Sequence, residues 1–295
     1  MSYQATKIAD GFTFPESPRW HAGRQAFYHV DIDGGRLYEL KDGRSRELYD
    51  FGTLVSGMAF DDADGFYVAT ITDRKIVHVQ GALDGAGSVA TVADLSDRIG
   101  FGLNDMTRGP GGDYFVGGLN FNALAKFEDD SVQVEPGSFL QIGADGSVLV
   151  EQRTVTFPNA VVIPPDGSRV MMADSYGQCI HSFVRNADGS VGEQSVWADL
   201  GDEMPDGMCM DAEGALWIAS HSHVIRVREG GEVTDEIVLA EGHVTACALG
   251  GADGRSLIVT AAASIDRRIV RASLTGVIYQ AHVDVPGAGL PSIYN

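Results

Sequence analysis

MDAEGALWIAS, residues 210–220, reads as a tight turn leading into a short apolar strand. Glycine at the end of the turn accepts the positive φ that such turns need, and the apolar run is too short for a buried helix. The same grammar recurs in WHAGRQAFYHVDI (20–32), FDDADGFYVATI (60–71), RGPGGDYFVGGL (108–119), IPPDGSRVMMADS (163–175) and LGGADGRSLIVTAA (249–262). The turn glycines, Gly23, Gly65, Gly112, Gly167, Gly214 and Gly254, stand 42, 47, 55, 47 and 40 residues apart. Weaker strand signals follow, as in GRLYELKDG (35–43), SFLQIGADGSVLV (138–150) and HVIRVREGGEV (223–233), with Asp-Gly and Gly-Gly pairs suited to hairpins. Repeats of ~40–50 residues holding about four strands each are the signature of propeller blades. The sequence therefore predicts an all-β, six-bladed β-propeller with residues 1–295 as one domain, its two tails completing each other. A stack of sandwiches would use similar turns without this regular spacing.

Composition narrows the function. Glycine, 37 of 295 residues, is about 12.5% against a usual ~7%, as many tight turns require. The formal net charge is −20, and without a basic cluster nucleic acid is excluded as a partner. No stretch nears the ~18 apolar residues of a membrane span. The start, MSYQATKIADGF, lacks the features of a secretory signal, so a cytoplasmic location is expected. Cys179, Cys209 and Cys247, with no CxxC spacing, read as buried thiols.

Aligning the repeats on their turns exposes one shared position where each innermost strand begins. It holds Glu16, Ser56, Asn104, Asn159, Asp206 and Thr245, all polar, with largely apolar residues after them. Radial repetition predicts that the six converge at one mouth of the central channel. Carboxylates gathered in a partly dehydrated channel need a compensating cation or proton. A donor set of carboxylate and carboxamide oxygens suits a hard divalent ion, placed in the central channel. The competing reading is that these side chains serve loop backbone groups.

FPESPRWHAGRQAFYHVDI (14–32), NDMTRGPGGDYFVGGL (104–119), FPNAVVIPPDGSRVMMADS (157–175) and PDGMCMDAEGALWIASHSHVIRV (205–227) resemble the senescence-marker-protein/gluconolactonase family, which includes regucalcin. The resemblance runs from Phe14 to the closing GAGLPS (287–292). It implies a six-bladed propeller with one divalent cation, Ca²⁺ first, with Mn²⁺, Mg²⁺ or Zn²⁺ as alternatives. It implies Glu16, Asn159 and Asp206 as metal ligands, Asp206 also as general base, and Asn104 as a contact to substrate or water, with Asp105 supporting its loop. The implied activity is hydrolysis of a small-molecule lactone.

One departure bears on specificity. Sugar-lactone-hydrolysing members carry an arginine two places before the equivalent of Asn104, where this chain has Gly102 between Phe101 and Leu103. Losing a guanidinium removes several donors to substrate hydroxyls. With Phe101 and Phe121 placed near the mouth, the expectation is a lactone less hydroxylated than an aldonolactone. His243, two residues before Thr245, is a further pocket candidate. His221 and His223 are expected in a hairpin at the opposite rim, and Asp31 and Asp174 as strand-end caps. The stretch 120–136, which lengthens one repeat, is a candidate lid. A sugar lactonase, a non-enzymatic calcium-binding regulatory propeller, and another metal-assisted ester or phosphotriester hydrolysis remain the alternatives. No GxSxG elbow supports a serine hydrolase.

Overall fold

The computed structural model describes residues 2–85 and 87–289; the last three residues of the GAGLPS stretch lie outside them. Six four-stranded antiparallel sheets form the blades of a propeller. Blade 1 comprises Pro15–His21, Ala26–Asp31, Arg36–Lys41 and Arg44–Asp50. Blade 2 comprises Val55–Phe60, Phe66–Thr70, Lys75–Gln80 and Ser88–Asp94. Blade 3 holds Gly102–Arg108, Tyr114–Leu119, Gly137–Ile142 and Val148–Val155, and blade 4 holds Pro158–Val162, Arg169–Asp174, Cys179–Arg185 and Val191–Asp199. Blade 5 holds Met208–Met210, Leu216–Ser220, His223–Val227 and Val233–Val238. In blade 6, His243–Gly250, Ser256–Ala262 and Gly276–His282 take their outer strand from the other end of the chain, Thr6–Phe12. That strand runs antiparallel to Gly276–His282, pairing Thr6 with Gln280 and Phe12 with Gly276, and so closes the ring.

The first strand of each sheet touches the first strands of both neighbours in cyclic order. Both faces of each blade are apolar, because alternate residues of a strand point to opposite sides. In blade 4, Met171 and Ala173 pack toward blade 5, whereas Val170 and Met172 pack toward blade 3. One apolar cluster fills each gap between adjacent blades among the described residues. Turn aspartates recur as well: Asp61 and Asp211 each accept two backbone N–H groups of their own turn. Each also pairs with the third strand of its blade, through His78 at 2.8 Å and Arg226 at 2.6 Å.

Two short helices break the pattern, α1 (Ala123–Lys126) and α2 (Arg267–Ala272). No helix among the described residues is long and apolar enough to cross a membrane.

Candidate active site

The first strand of a blade leaves one mouth of the channel and the second returns to it. Residues that open the first strand therefore share a rim with the turn after the second strand. A shift of register falls at the shared polar position in five blades, between Glu16/Arg19, Val55/Met58, Leu103/Met106, Pro158/Val161 and Val244/Ala246. Such bulges re-aim a side chain, here toward the axis or a neighbouring blade. Ser17, beside Glu16, takes the left-handed conformation (φ 50°) although it carries a side chain. Local strain of this kind collects at functional sites. The Ser17 hydroxyl donates to Asp105 at 2.9 Å and accepts from the Met58 N–H at 3.1 Å, which fixes the turn.

The aligned positions and their immediate chain neighbours are joined in a circle of hydrogen bonds that runs through every blade. The Thr245 hydroxyl donates to the Pro15 carbonyl at 2.6 Å, and Ser17 links blades 1 and 2. The Ser56 hydroxyl reaches the Asn104 carbonyl at 3.0 Å, and Asn104 Nδ2 donates to the Pro158 carbonyl at 3.0 Å. Asn159 Nδ2 donates to Asp206 Oδ1 at 2.6 Å, and the Gly207 N–H reaches the Thr245 carbonyl at 2.9 Å.

This circle corrects the expectation that all six side chains face the channel mouth together. Glu16, Asn104, Asn159 and Asp206 line one cavity of about 380 Å³; Ser56 and Thr245 do not. Both hydroxyl residues are buried, and their short side chains are spent on neighbouring backbone.

The cavity floor is polar and its walls are apolar. Around the four floor residues stand Phe14, Ile71, Phe101, Leu103, Phe127 and Phe157. Phe101 faces the cavity as expected, but Phe121 does not: it packs behind the wall, 6.0 Å from Phe157 and 6.3 Å from Tyr176 between ring centroids. A side chain at Gly102 would meet Ile71, with its Cβ 2.8 Å from Ile71 Cγ2 and 3.1 Å from the Ile71 carbonyl oxygen. Where the resemblance would place an arginine, blade 2 supplies an isoleucine.

His221 also lines the cavity, which corrects its placement at the opposite rim; it sits in the turn after the second strand of blade 5. His223 lies beside it, held by Glu203 at 2.8 Å and Glu236 at 3.3 Å. His243 is in the cavity wall, and burial, followed by the charge of His221, lowers its pKa to about 4. It is a neutral imidazole across the physiological range. Asp31 accepts the N–H groups of Thr13 and Phe14, and Asp174 those of Thr156, Phe157 and Gly177, so both are caps. Segment 120–136 is pinned at its base by Asn120 Nδ2 on the Pro136 carbonyl at 2.8 Å, and lends Ala123, Leu124 and Phe127 to the wall.

Electrostatics mark the floor as unusual. Burial, then the charges of Asp206 and Asp105, push the Glu16 carboxyl well above the usual carboxylate range. Burial likewise raises Asp206, to about 8, with Asp105 adding repulsion and the hydrogen bond from Asn159 opposing it. Asp105 itself is held beneath the floor by Ser17, its own neighbour's N–H and Arg19, the last at 3.2 Å. Glu16 Oε1, Asn104 Oδ1 and Asn159 Oδ1 accept no hydrogen bond among the described residues. Among those residues no cluster of three or more His, Cys, Asp or Glu forms a metal site; the oxygen set here is two carboxylates and two carboxamides.

Sequence reasoning missed Ser175, Tyr176, Met204, Ile265 and Arg267, which complete the wall. Ser175 and Tyr176 follow the second strand of blade 4 as His221 follows that of blade 5, so the strand count alone could have found them.

A 6-deoxy-6-sulfogluconolactonase from Pseudomonas putida is 26% identical over 292 residues, covering 94% of this chain and 93% of that protein. A solved luciferin-regenerating enzyme superposes with a TM-score of 0.81 at 20% identity, covering 98% of both chains. A calcium-binding protein from Agrobacterium tumefaciens, regucalcin, superposes with a TM-score of 0.80 at 20% identity, covering 100% of this chain and 99% of that one. The family model described as SMP-30/Gluconolactonase/LRE-like region matches residues 14–263, and the chain belongs to that family.

Proposed function

We propose that this protein is a divalent-cation-dependent lactonase that opens cyclic esters with a more apolar body than an aldonolactone. One observation carries the reading: two repelling carboxyl groups, buried Glu16 and half-buried Asp206, meet Asn104 and Asn159 on the floor of a largely apolar cavity. Like charges in such a place need a counter-ion, and the unused oxygens of Glu16, Asn104 and Asn159 are hard donors suited to one. Glu16, Asn159 and Asp206 would hold the cation, with Ca²⁺ the best match to an all-oxygen set and Mn²⁺, Mg²⁺ and Zn²⁺ as alternatives. When bound, the cation supplies charge stabilisation to the carbonyl oxygen under attack. The sulfogluconolactonase relative supports the chemistry and the calcium-binding neighbour supports the ion.

The chain's own residues do the rest. Asp206 takes the proton of the attacking water and returns it to the leaving alkoxide. Asn104, fixed through Nδ2 to the Pro158 carbonyl, turns Oδ1 toward that water. Phe101, Ile71, Phe127 and Phe157 exclude bulk water and hold the lactone's body, and segment 120–136 acts as a lid. The protein would work on small molecules in the cytoplasm, with residues 1–295 as one unit.

Proton release from a lactone panel tests this. Alkyl-substituted lactones should acidify the medium faster than gluconolactone, chelator should stop the reaction, and Ca²⁺ or Mn²⁺ should restore it. Cation binding without turnover of any ester would instead favour a regulatory protein.

The raised carboxyls also set a pH dependence. From the ordinary carboxylate range up to about 8, the cation-free folded protein holds a proton at Asp206 that the unfolded chain has lost. Its stability therefore falls as pH rises through that window. A bound cation favours the deprotonated form, so its stabilising effect grows with pH. In thermal unfolding with chelator, the midpoint should be lower at pH 8.5 than at pH 5.5, and added Ca²⁺ should raise it more at pH 8.5. An equal Ca²⁺ shift at both values would contradict the assignment.

A further inference from the structure

Arg267 is the one cation in the wall of this cavity among the described residues, and the catalytic scheme does not use it. It opens α2, is only 3% exposed, and stands among Phe14, Ile32, Phe127 and Ile265. A guanidinium in such surroundings is normally matched by acceptors along its whole fork. Here only Nη2 is engaged, with Asp33 Oδ1. That same carboxylate oxygen also accepts from Arg271 Nε at 3.0 Å, so one oxygen serves two guanidinium groups while Asp33 Oδ2 is buried without a partner. Arg267 Nε is buried without a partner, and Nη1 makes no hydrogen bond among the described residues. Glu128, exposed on the lid segment, acts on Arg267 only through space and forms no ion pair with it. A buried, half-satisfied arginine contributes little stability, which points to a ligand as its missing partner.

The floor carboxylates and carboxamides, the apolar side chains and Arg267 line the same cavity. The geometry points to Arg267 as the specificity-determining contact for a substrate with a negatively charged tail: a lactone whose ring lies on the floor and whose apolar chain carries a carboxylate-type group to the guanidinium. This rests on the lactonase reading and adds the substrate class. The planar fork of arginine pairs with a carboxylate through two parallel hydrogen bonds, and here the end-on pair is Nη1, which makes no hydrogen bond among the described residues, with the second hydrogen of Nη2. The cavity volume, about 380 Å³, is that of a small-molecule site.

The test compares a γ-lactone bearing an ω-carboxyalkyl chain with its ω-carboxamide. Hydrogen bonds to a charged partner lead to an expected kcat/KM preference for the carboxylate of roughly ten- to a hundredfold in the wild-type protein. In Arg267→Met the ratio should fall to about one, mainly through KM. The matching pair of lactams, which resist ring opening, gives a readout independent of turnover and of whether that variant folds: the carboxylated lactam should bind the wild-type protein, measured by calorimetry, at least about ten times more tightly than the amide. If both lactones are opened at equal rates, or both are opened and the two lactams bind equally, the role of Arg267 is overturned while the lactonase reading stands. If neither lactone is opened but the carboxylated lactam is preferred, the lactonase reading fails and the anion site stands. No turnover together with no binding preference would overturn both.

Discussion

Asp206→Ala is expected to lower kcat/KM for lactone opening by at least about 10³-fold. General-base catalysis alone contributes typically 10²–10⁴, and the variant removes a cation ligand in the same stroke. The effect on stability should run the other way in the absence of metal. Asp206 is a half-buried carboxyl repelled by Asp105, so removing it relieves a cost that grows with pH. With chelator at pH 8.5, Asp206→Ala should therefore unfold at a temperature no lower than the wild type, and added Ca²⁺ should no longer raise it. Steady-state rates and thermal unfolding on the same preparations check both halves. A variant that keeps wild-type turnover contradicts the mechanism, and one that keeps the Ca²⁺ shift contradicts the ligand assignment. Such a trade of stability for activity is common where function needs groups that folding alone would discard.

The second large effect concerns the ring that positions the floor. Gly57 lies in the first strand of blade 2, and a Cβ there would stand 2.2 Å from the Met106 N and 2.7 Å from the Asp105 carbonyl carbon. Gly207, beside Asp206, would place its Cβ 2.1 Å from Ala246 Cβ and 2.5 Å from Ala246 Cα. Neither contact involves a flexible side-chain end, so two blades must separate to admit one methyl group. Gly57→Ala and Gly207→Ala should each cost about 3 kcal/mol or more, at the upper end of overpacking effects. Gly23→Ala is the internal control: its nearest neighbour is His21 Cε1 at 3.4 Å, and a change within about 0.5 kcal/mol is expected. Urea unfolding measures all three. Equal midpoints for Gly57→Ala and Gly23→Ala would mean that the inner strands do not meet as described.

The blades were legible in the sequence because each repeats one chemical pattern: a turn glycine, then a short apolar strand whose two faces are both buried. Turn aspartates such as Asp61 and Asp211 belong to that pattern and recur with their third-strand partners. The floor was legible because Glu16, Asn104, Asn159 and Asp206 break an apolar rule at one register, and the structure brings these four to one cavity. Ser56 and Thr245 break the same rule for a different reason. A hydroxyl is too short to reach the axis yet well placed to bond the next blade, and only coordinates separate the two outcomes. His221 was misplaced through counting, since the turn after the second strand returns to the mouth from which the first set out. Phe121 was assigned to the wall by proximity in sequence, but it packs against Phe157 and Tyr176, and those two line the cavity instead. Arg267 left no local signal: its pairing with Asp33 joins residues 234 positions apart, across the seam that closes the ring.

The central claim is that distant segments assemble one cation site from Glu16, Asn159 and Asp206. Crystals grown with Mn²⁺ and measured at a wavelength where manganese scatters anomalously would test it directly. The account predicts a strong anomalous peak within bonding distance of oxygens from all three side chains, lost in Asp206→Ala crystals. A map with no peak on the cavity floor, at a cation concentration that supports turnover, would contradict it.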